Sequence, residues 1–199
     1  LQGLIEAEVL DKVKNCDYIG LTCYTESRFE VFNFSYKVKK VNPDCKLIVG
    51  GPHAKALDKV ILEHCPYIDI VVRGEGEETT LDIINGKAPE EILGITWRSN
   101  SADIVSNPDR PMVRNIDSLC YDYSLVHSHV DGWKDFEIPR KLQKLNALPI
   151  IASRGCPFRC AFCAAHQQWG KIYRCLSPVE LVERLKELVK QYNIGYFRF

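Results

Sequence analysis

Three short apolar runs rich in β-branched residues, YIGLTCYT (18–25), KLIVGG (46–51) and IDIVV (68–72), punctuate the first half of this 199-residue chain. Each suits a strand buried on both faces. The stretches between them switch to helical periodicity. Val31, Phe34, Val38 and Val41 recur at helical spacing before Pro43, and Leu57, Val60, Ile61 and His64 form a face before Pro66. Residues 77–84 read as a short helix with Gly86 as its C-terminal cap. Ahead of the first run, Leu1, Ile5, Val9 and Val13 fall in one row of an amphipathic helix over 1–14. Strands alternating with helices, roughly one unit per 25 residues, predict an α/β fold. The expected domain is a Rossmann-like (flavodoxin-like) parallel sheet with helices on both faces. One segment stays ambiguous, because Phe32, Phe34, Tyr36 and Val38 also alternate as a strand would.

In open sheets of this kind, ligands sit outside the carboxyl ends of the strands. Here those ends carry TCYTES, GGPHA and RGEGEE. Gly50 and Gly51 lack a Cβ, so a ligand can approach the backbone closely. Arg73-Gly74-Glu75-Gly76 is a second such loop, ahead of a helix N-terminus whose free N–H groups can hold polar or anionic atoms. The same glycines would equally serve tight strand-to-helix turns. Neither G-x-G-x-x-G nor G-x4-G-K-[ST] occurs, so no obvious dinucleotide or P-loop site is present. His53 follows Gly-Gly-Pro alone and suits a pocket wall or the surface better than a metal site. Glu75, Glu77 and Glu78 suit the positive end of a helix dipole better than a cation site.

Residues 94–108 hold two short β-like pieces around Ser-Asn-Ser and read as a hairpin. Periodicity then fades. Pro108, Pro111 and Pro139, with Tyr121, Tyr123 and Trp133, predict an ordered connector over 107–147, packed on a surface or acting as a lid. Lys plus Arg equals Asp plus Glu, 26 each, so there is no basic footprint for nucleic acid or an anionic membrane. No apolar run approaches the ~20 residues that span a bilayer, and no N-terminal stretch reads as a signal peptide. The chain opens on Leu1 inside a helical pattern, so a fragment of a longer protein is expected.

The nine cysteines are an odd number scattered through a chain with no signal peptide, which predicts a reducing, cytoplasmic setting. Cys16, Cys23, Cys45, Cys65, Cys120 and Cys175 stand singly and mostly read as small buried hydrophobes. The other three, Cys156, Cys160 and Cys163 in SRGCPFRCAFC, are spaced C-x3-C-x2-C in a loop after the short strand 148–152. A helix follows, with Ser177 as N-cap, Pro178 in its first position, Glu180 completing a capping box, and Leu181, Leu185, Leu188 and Val189 as its apolar stripe. YFRF then starts a new strand. Disulfides would leave one thiol over. Zinc could take the three thiols with His166, in a cramped Cys3His set. A [4Fe–4S] cluster would take three thiolates and keep one iron open for a small molecule.

C-x3-C-x2-C with the aromatic Phe162 before its last cysteine resembles the signature of radical S-adenosylmethionine (SAM) enzymes. SRGCPFRCAFC, LIVGGPHA, DIVVRGEGEET and LGITWR together resemble the subgroup with an N-terminal cobalamin (B12)-binding domain, over nearly the whole chain. The resemblance implies that Cys156, Cys160 and Cys163 ligate three irons of a [4Fe–4S] cluster and that the fourth iron binds the amino and carboxylate groups of SAM. Reduction would cleave SAM to methionine and a 5′-deoxyadenosyl radical that abstracts a substrate hydrogen. Phe162 would lie beside the adenine. Gly50, Gly51, Pro52 and His53 would border the cobalamin tail, with the Thr22 to Thr25 loop and Gly74, Glu75 and Gly76 on the same side. The D-x-H-x-x-G element of many cobalamin proteins would precede residue 1, and the SAM-contacting glycine segment would follow Phe199.

The expected organisation is a cobalamin-binding-type domain over 1–106, the connector over 107–147, and the first βαβ of a partial (β/α) TIM-like barrel over 148–199. The implied reaction is cobalamin-dependent methyl transfer, or a rearrangement, cyclisation or methylthiolation. The implied partners are a small-molecule or peptide substrate and an external electron donor such as a reduced flavodoxin or ferredoxin. The fragment is expected to be inactive alone. The rival expectation is a non-catalytic corrinoid- or zinc-binding α/β module.

Overall fold

The computed structural model describes residues 3–127 and 146–199. Trp133 and Pro139 of the expected connector, and Leu1 of the first apolar row, lie outside the described residues. The chain divides into two compact units. Leu1–Met112 and Gln167–Trp169 form the first, and Val113–His166 and Gly170–Phe199 form the second.

In the first unit, strands β1 (Tyr18–Thr22), β2 (Lys46–Gly50) and β3 (Ile70–Val72) lie side by side in parallel. The hairpin expected over 94–108 forms β4 (Ile95–Arg98) and β5 (Ile104–Ser106), and both join the same sheet antiparallel, giving the order β1-β2-β3-β4-β5. The sheet is therefore mixed, not wholly parallel. The connection from β3 to β4 runs through α5 (Glu77–Ile84) and brings β4 back antiparallel, and β5 then pairs with β4 across the hairpin.

Strand alternation divides the core in two. Ile19, Leu47 and Val49 pack on one face beneath α1 (Gly3–Lys12), α2 (Arg28–Val41), α3 (Pro52–Ala56) and α4 (Asp58–His64), using Val13, Phe34, Val38, Ala54, Ile61 and Leu62. Ile48 and Val72 point the other way and pack with Ile83 of α5 (Glu77–Ile84), Ile92, Ile95 and Trp97. Helices thus lie on both faces. Their relative extents differ, because Gly20 and Gly50 present no side chain on the α5 face.

Several local expectations are corrected. The first strand stops at Thr22, although the Cys23 N–H continues its ladder to the Gly50 carbonyl at 2.8 Å. Residues 32–38 are helix, not strand: Ser35 and Val38 are buried along one side and Tyr36 is exposed. The first helix gives way to a 3-10 turn, Val13–Asn15. The single helix expected around 57–64 breaks at Leu57, which joins α3 to α4 with φ −131 and ψ 31. The break rotates the buried face to Ile61 and Leu62 and leaves Leu57 and Val60 exposed.

One guanidinium ties the far side of this sheet together. Arg73, just past β3, donates through Nε to Asp109 at 3.0 Å and through its terminal nitrogens to Asp58 at 3.3 Å, the Ile95 carbonyl at 2.9 Å, Thr96 Oγ1 and the Asn107 carbonyl. Asn107 is itself buried, accepts from Trp97 Nε1 at 3.2 Å, and donates to the carbonyls of Pro89 and Ile92 at 2.6 and 2.7 Å. Arg110 reaches Thr79 at 2.8 Å and Glu78 at 3.2 Å, and also Asp82, whose carboxyl it holds below the ordinary range.

In the second unit, β6 (Asn146–Pro149) pairs in parallel with β9 (Ile194–Arg198) across α8 (Pro178–Tyr192), a βαβ arrangement. The strand lies two residues earlier than the sequence suggested, and the Ile150 N–H extends it to the Arg198 carbonyl at 2.8 Å. Ser177 caps α8, its side chain accepting from the Glu180 N–H at 3.2 Å, and Asn193 closes it in the left-handed region. Leu181, Leu185 and Leu188 face Leu148, Ile150 and Ile194, but Val189 of the expected stripe is exposed. Short α6 (Ser124–His127) and the two-residue strands β7 (Ser153–Arg154) and β8 (Arg174–Cys175) also lie here; α7 (Ala165–Trp169), whose last three residues belong to the first unit, and the 3-10 turns Pro89–Glu91 and Ile116–Ser118 complete the described elements. Asp117, ahead of α8 in sequence, accepts from the Ser177 N–H at 2.8 Å, and Arg154 donates to Tyr121 Oη at 2.8 Å.

Replacing Arg73 with Met removes the guanidinium while keeping a side chain of similar reach, and strands the Asp58 carboxylate and two buried carbonyls. The expected loss is about 3 kcal/mol of unfolding free energy, measured by urea denaturation followed by circular dichroism.

Candidate functional site

A cleft of about 400 Å3 opens at the carboxyl ends of β1, β2 and β3, on the face that carries α5. Its floor follows from the sheet register. Gly20 is paired with Ile48 and Thr22 with Gly50, so the wall on this side is mostly backbone. Gly51 then turns the chain into α3 with φ 95 and ψ 176, a conformation essentially confined to glycine. A Cβ there would stand 2.8 Å from the Cys23 carbonyl oxygen and 3.1 Å from both the Cys23 nitrogen and Thr22 Cγ2. At Gly20, by contrast, a Cβ would meet nothing within 4 Å. Gly51 is therefore required by the fold, and Gly20 leaves open space in the cleft.

Of the residues singled out from the sequence, Thr22, Gly50, Gly51, Pro52, Gly74, Glu75 and Gly76 line this cleft. Thr25 and His53 do not. They stand together at its edge, Thr25 Oγ1 lying 3.1 Å from His53 Nδ1, while the His53 N–H donates to the Cys23 carbonyl at 3.1 Å. The second α3 position turns His53 toward the Phe32 ring, 6.3 Å away between centroids. Tyr24, within the Thr22 to Thr25 loop, and Glu77 also line the cleft, and the sequence reading missed Gly20, Leu21, Ile48, Val72 and Thr80 there. Alternation along β1 and β2 would have found Gly20 and Ile48, and the helical spacing from Glu77 would have found Thr80. Gln168 and Trp169, in the short piece that belongs to this same unit, could not have been found that way.

Electrostatically the cleft is acidic. Glu75 is 7% exposed. Burial lowers the Lys55 ammonium pKa, while the nearby Asp109 and Glu75 carboxylates act to raise it. Gln168 Nε2 donates to the Gly74 carbonyl at 3.2 Å, and its buried Oε1 has no hydrogen-bond partner among the described residues.

The three clustered cysteines lie in the second unit, on the loop between β7 and α7. Cys156 and Cys163 are half-buried and Cys160 is exposed. The Cys163 N–H donates to the Cys160 carbonyl at 3.0 Å, making a tight turn, and the Cys156 N–H reaches the Gly170 carbonyl at 3.3 Å. Among the described residues no group of three or more His, Cys, Asp or Glu side chains is gathered as a metal site, so the loop displays the thiols without converging them. His166 is not brought to them as a fourth ligand. Phe162 is 93% exposed and Phe158 is 72% exposed. The remaining cysteines divide. Cys23, Cys45 and Cys65 are buried, and burial pushes the Cys23 and Cys45 thiols up, which suits inert packing. Cys16 is half-buried, and Cys120 and Cys175 are exposed, contrary to the expectation for most single cysteines. Cys175 lies in a two-residue edge ladder that covers little side chain.

Residues 5–84 match the family model of the B12-binding domain. Over 188 residues the chain is 30% identical to an uncharacterized methyltransferase, PH0819, of Pyrococcus horikoshii, covering 92% of this chain and 39% of that protein. It is 29% identical over 203 residues to the anaerobic magnesium-protoporphyrin IX monomethyl ester cyclase of Rubrivivax gelatinosus, covering 98% of this chain and 35% of the cyclase. The chain thus spans little more than a third of the length of these curated relatives. Its fold matches that of the radical SAM methyltransferase TsrM from Kitasatospora setae, solved with cobalamin and a [4Fe–4S] cluster bound, at a TM-score of 0.66 and 16% identity, over 96% of this chain and 39% of TsrM.

The two glycines make opposite predictions. Gly51→Ala should cost about 1–3 kcal/mol through its backbone conformation alone. Gly20→Ala should be neutral or stabilise by up to about 1 kcal/mol. Paired thermal melts of the two variants check both. With a match to the B12-binding domain over 5–84 and the three-cysteine loop downstream of it, the chain is similar over most of its length to a curated methyltransferase and a cyclase, and shares its fold with a radical SAM methyltransferase.

Proposed function

We propose that this chain carries both cofactor sites of a cytoplasmic radical SAM enzyme that performs cobalamin-dependent chemistry, methyl transfer or cyclisation. One observation carries the reading: a C-x3-C-x2-C loop and a B12-binding domain stand on the same chain. The relatives named above include both a methyltransferase and a cyclase, which supports the two reaction types and favours neither. Residues 1–106 would form the corrinoid domain, 148–199 the start of the cluster-bearing domain, and 107–147 the connection.

The residues present fit both groups. The cleft is floored by glycine backbone and lined by Gln168, whose buried Oε1 has no partner among the described residues. The loop offers three thiols within eight residues, Cys160 and Cys163 in one turn and Cys156 ahead of it, with no disulfide formed by any of the nine cysteines. Cys156, Cys160 and Cys163 would hold three irons, leaving the fourth for the amino and carboxylate groups of SAM. When bound, the cluster supplies the electron that cleaves SAM to methionine and a 5′-deoxyadenosyl radical, and the corrinoid supplies a methyl carrier. The exposed ring of Phe162 offers a stacking face for adenine. Gly50 and Gly51 allow the corrinoid tail to lie against the backbone, with Ile48 and Val72 as the apolar wall. The electron would come from an external donor such as reduced flavodoxin or ferredoxin, and the substrate would be a small molecule or peptide. Among the described residues no helix is long and apolar enough to cross a membrane.

Anaerobic reconstitution with iron and sulfide should give a brown protein with about four irons per chain. Cys156→Ala, Cys160→Ala and Cys163→Ala should each lose most of that iron and colour, whereas Cys120→Ala should keep it. A colourless chain retaining one zinc would instead establish the zinc-binding module. Visible-absorbance titration with hydroxocobalamin tests the other site, and Gly20→Val, which fills open cleft space, should weaken that binding without lowering the melting temperature.

A further inference from the structure

The cleft of the first unit carries one sign of charge. Among the described residues lining it are two carboxylates, Glu75 and Glu77, and no Lys, Arg or His. Glu75 is the buried one, and its position is firmly held. Arg73 before it is anchored by five hydrogen-bond partners, Gly74 turns with φ 79, and Gly76 is the N-cap of α5. Lys55 stands close enough to Glu75 and Asp109 for their carboxylates to act on its ammonium, although burial lowers its pKa overall.

A second observation points the same way. Gln168 is 9% exposed and lines the cleft, and its Nε2 donates to the Gly74 carbonyl. That bond fixes the amide so that its oxygen is the atom left buried without a partner among the described residues. Buried acceptors are costly without a donor. The complementary ligand therefore brings neutral N–H donors. A carboxylate or phosphate placed against Glu75 would meet like charge instead.

Resting on the assignment of this cleft to a corrinoid, we propose that Glu75, assisted by Gln168 Oε1, is a specificity-determining residue that accepts hydrogen bonds from the ligand's side-chain carboxamides and rejects forms in which such an amide is a free acid. The contact is made by binding alone and involves no covalent step. It reads the amidation state of the corrin periphery, independently of the chemistry at the metal.

Equilibrium titrations of the full 199-residue chain, followed by visible absorbance, would compare hydroxocobalamin with the set of its monocarboxylic acids, each made by hydrolysing one side-chain amide. The amide facing Glu75 identifies itself as the acid that binds about tenfold or more weakly than hydroxocobalamin. In Glu75→Gln that gap should close to within about twofold, and in Glu75→Asp, which keeps the charge, it should persist. Acids that all bind wild type as tightly as hydroxocobalamin does would overturn the proposal, and that comparison needs no variant to fold. A gap that survives unchanged in Glu75→Gln would also overturn it. If wild type binds no hydroxocobalamin at all, the corrinoid assignment itself fails, which is a different result from binding without discrimination.

Discussion

The half-buried guanidinium of Arg73 is the interaction on which the cleft-bearing end of the first unit depends. It sits where β3 ends and joins the start of α4 through Asp58, the antiparallel strand β4 through Ile95 and Thr96, and the chain after β5 through Asn107 and Asp109. Its donors spread in a planar fork, so one side chain can satisfy acceptors from several elements at once. Without that fork the acceptors would be left in a low-dielectric interior with nothing to bond. The loop immediately after Arg73, Gly74-Glu75-Gly76, is thereby held at a fixed height beside the cleft.

The sheet is asymmetric in a way that explains why a cleft exists at all. One face is covered by α1 to α4 and filled by Ile19, Leu47, Val49 and Val71. The other is filled only toward α5, where Ile48, Val72, Ile83, Ile92 and Ile95 pack together. Over β1 the residues that would fill it are Gly20 and Thr22, and over the end of β2 it is Gly50. Packing density is kept by closing backbone on backbone at Gly51 and Cys23, and the unfilled volume is left at the strand ends. The cysteines follow the same economy of space. Those in the sheet core act as small apolar groups, whereas in the 156–163 loop Cys160 is exposed and Cys156 and Cys163 are half-buried.

Two kinds of information about this chain were legible at different levels. The strands, α5 with Gly86 at its end, and the capping of α8 by Ser177 followed directly from period and cap chemistry, because these depend on neighbours within a few residues. The break at Leu57 and the shift of the buried face of α4 were not legible, because they arise from docking α3 and α4 on the sheet. Likewise the hairpin was expected, but its pairing with β3 depends on a non-local edge. For the site, glycines and carboxylates in the strand-end loops stood out, and seven of the nine corrinoid-side residues line the cleft. Thr25 and His53 were displaced because they bond to each other outside it.

The sequence by itself determined the class of fold, the order of its elements, the match to a B12-binding domain over 5–84, and the C-x3-C-x2-C spacing of three thiols, since each rests on residue type and spacing along the chain. The tertiary structure alone decided which face of the sheet stays open, that Gly51 is obligatory while Gly20 is not, and that Glu75 and Gln168 Oε1 are buried acceptors beside the same cleft. Those facts depend on which backbone atoms approach across distances of tens of residues. No local pattern encodes that approach, because it is set by the register between strands and the helices packed upon them.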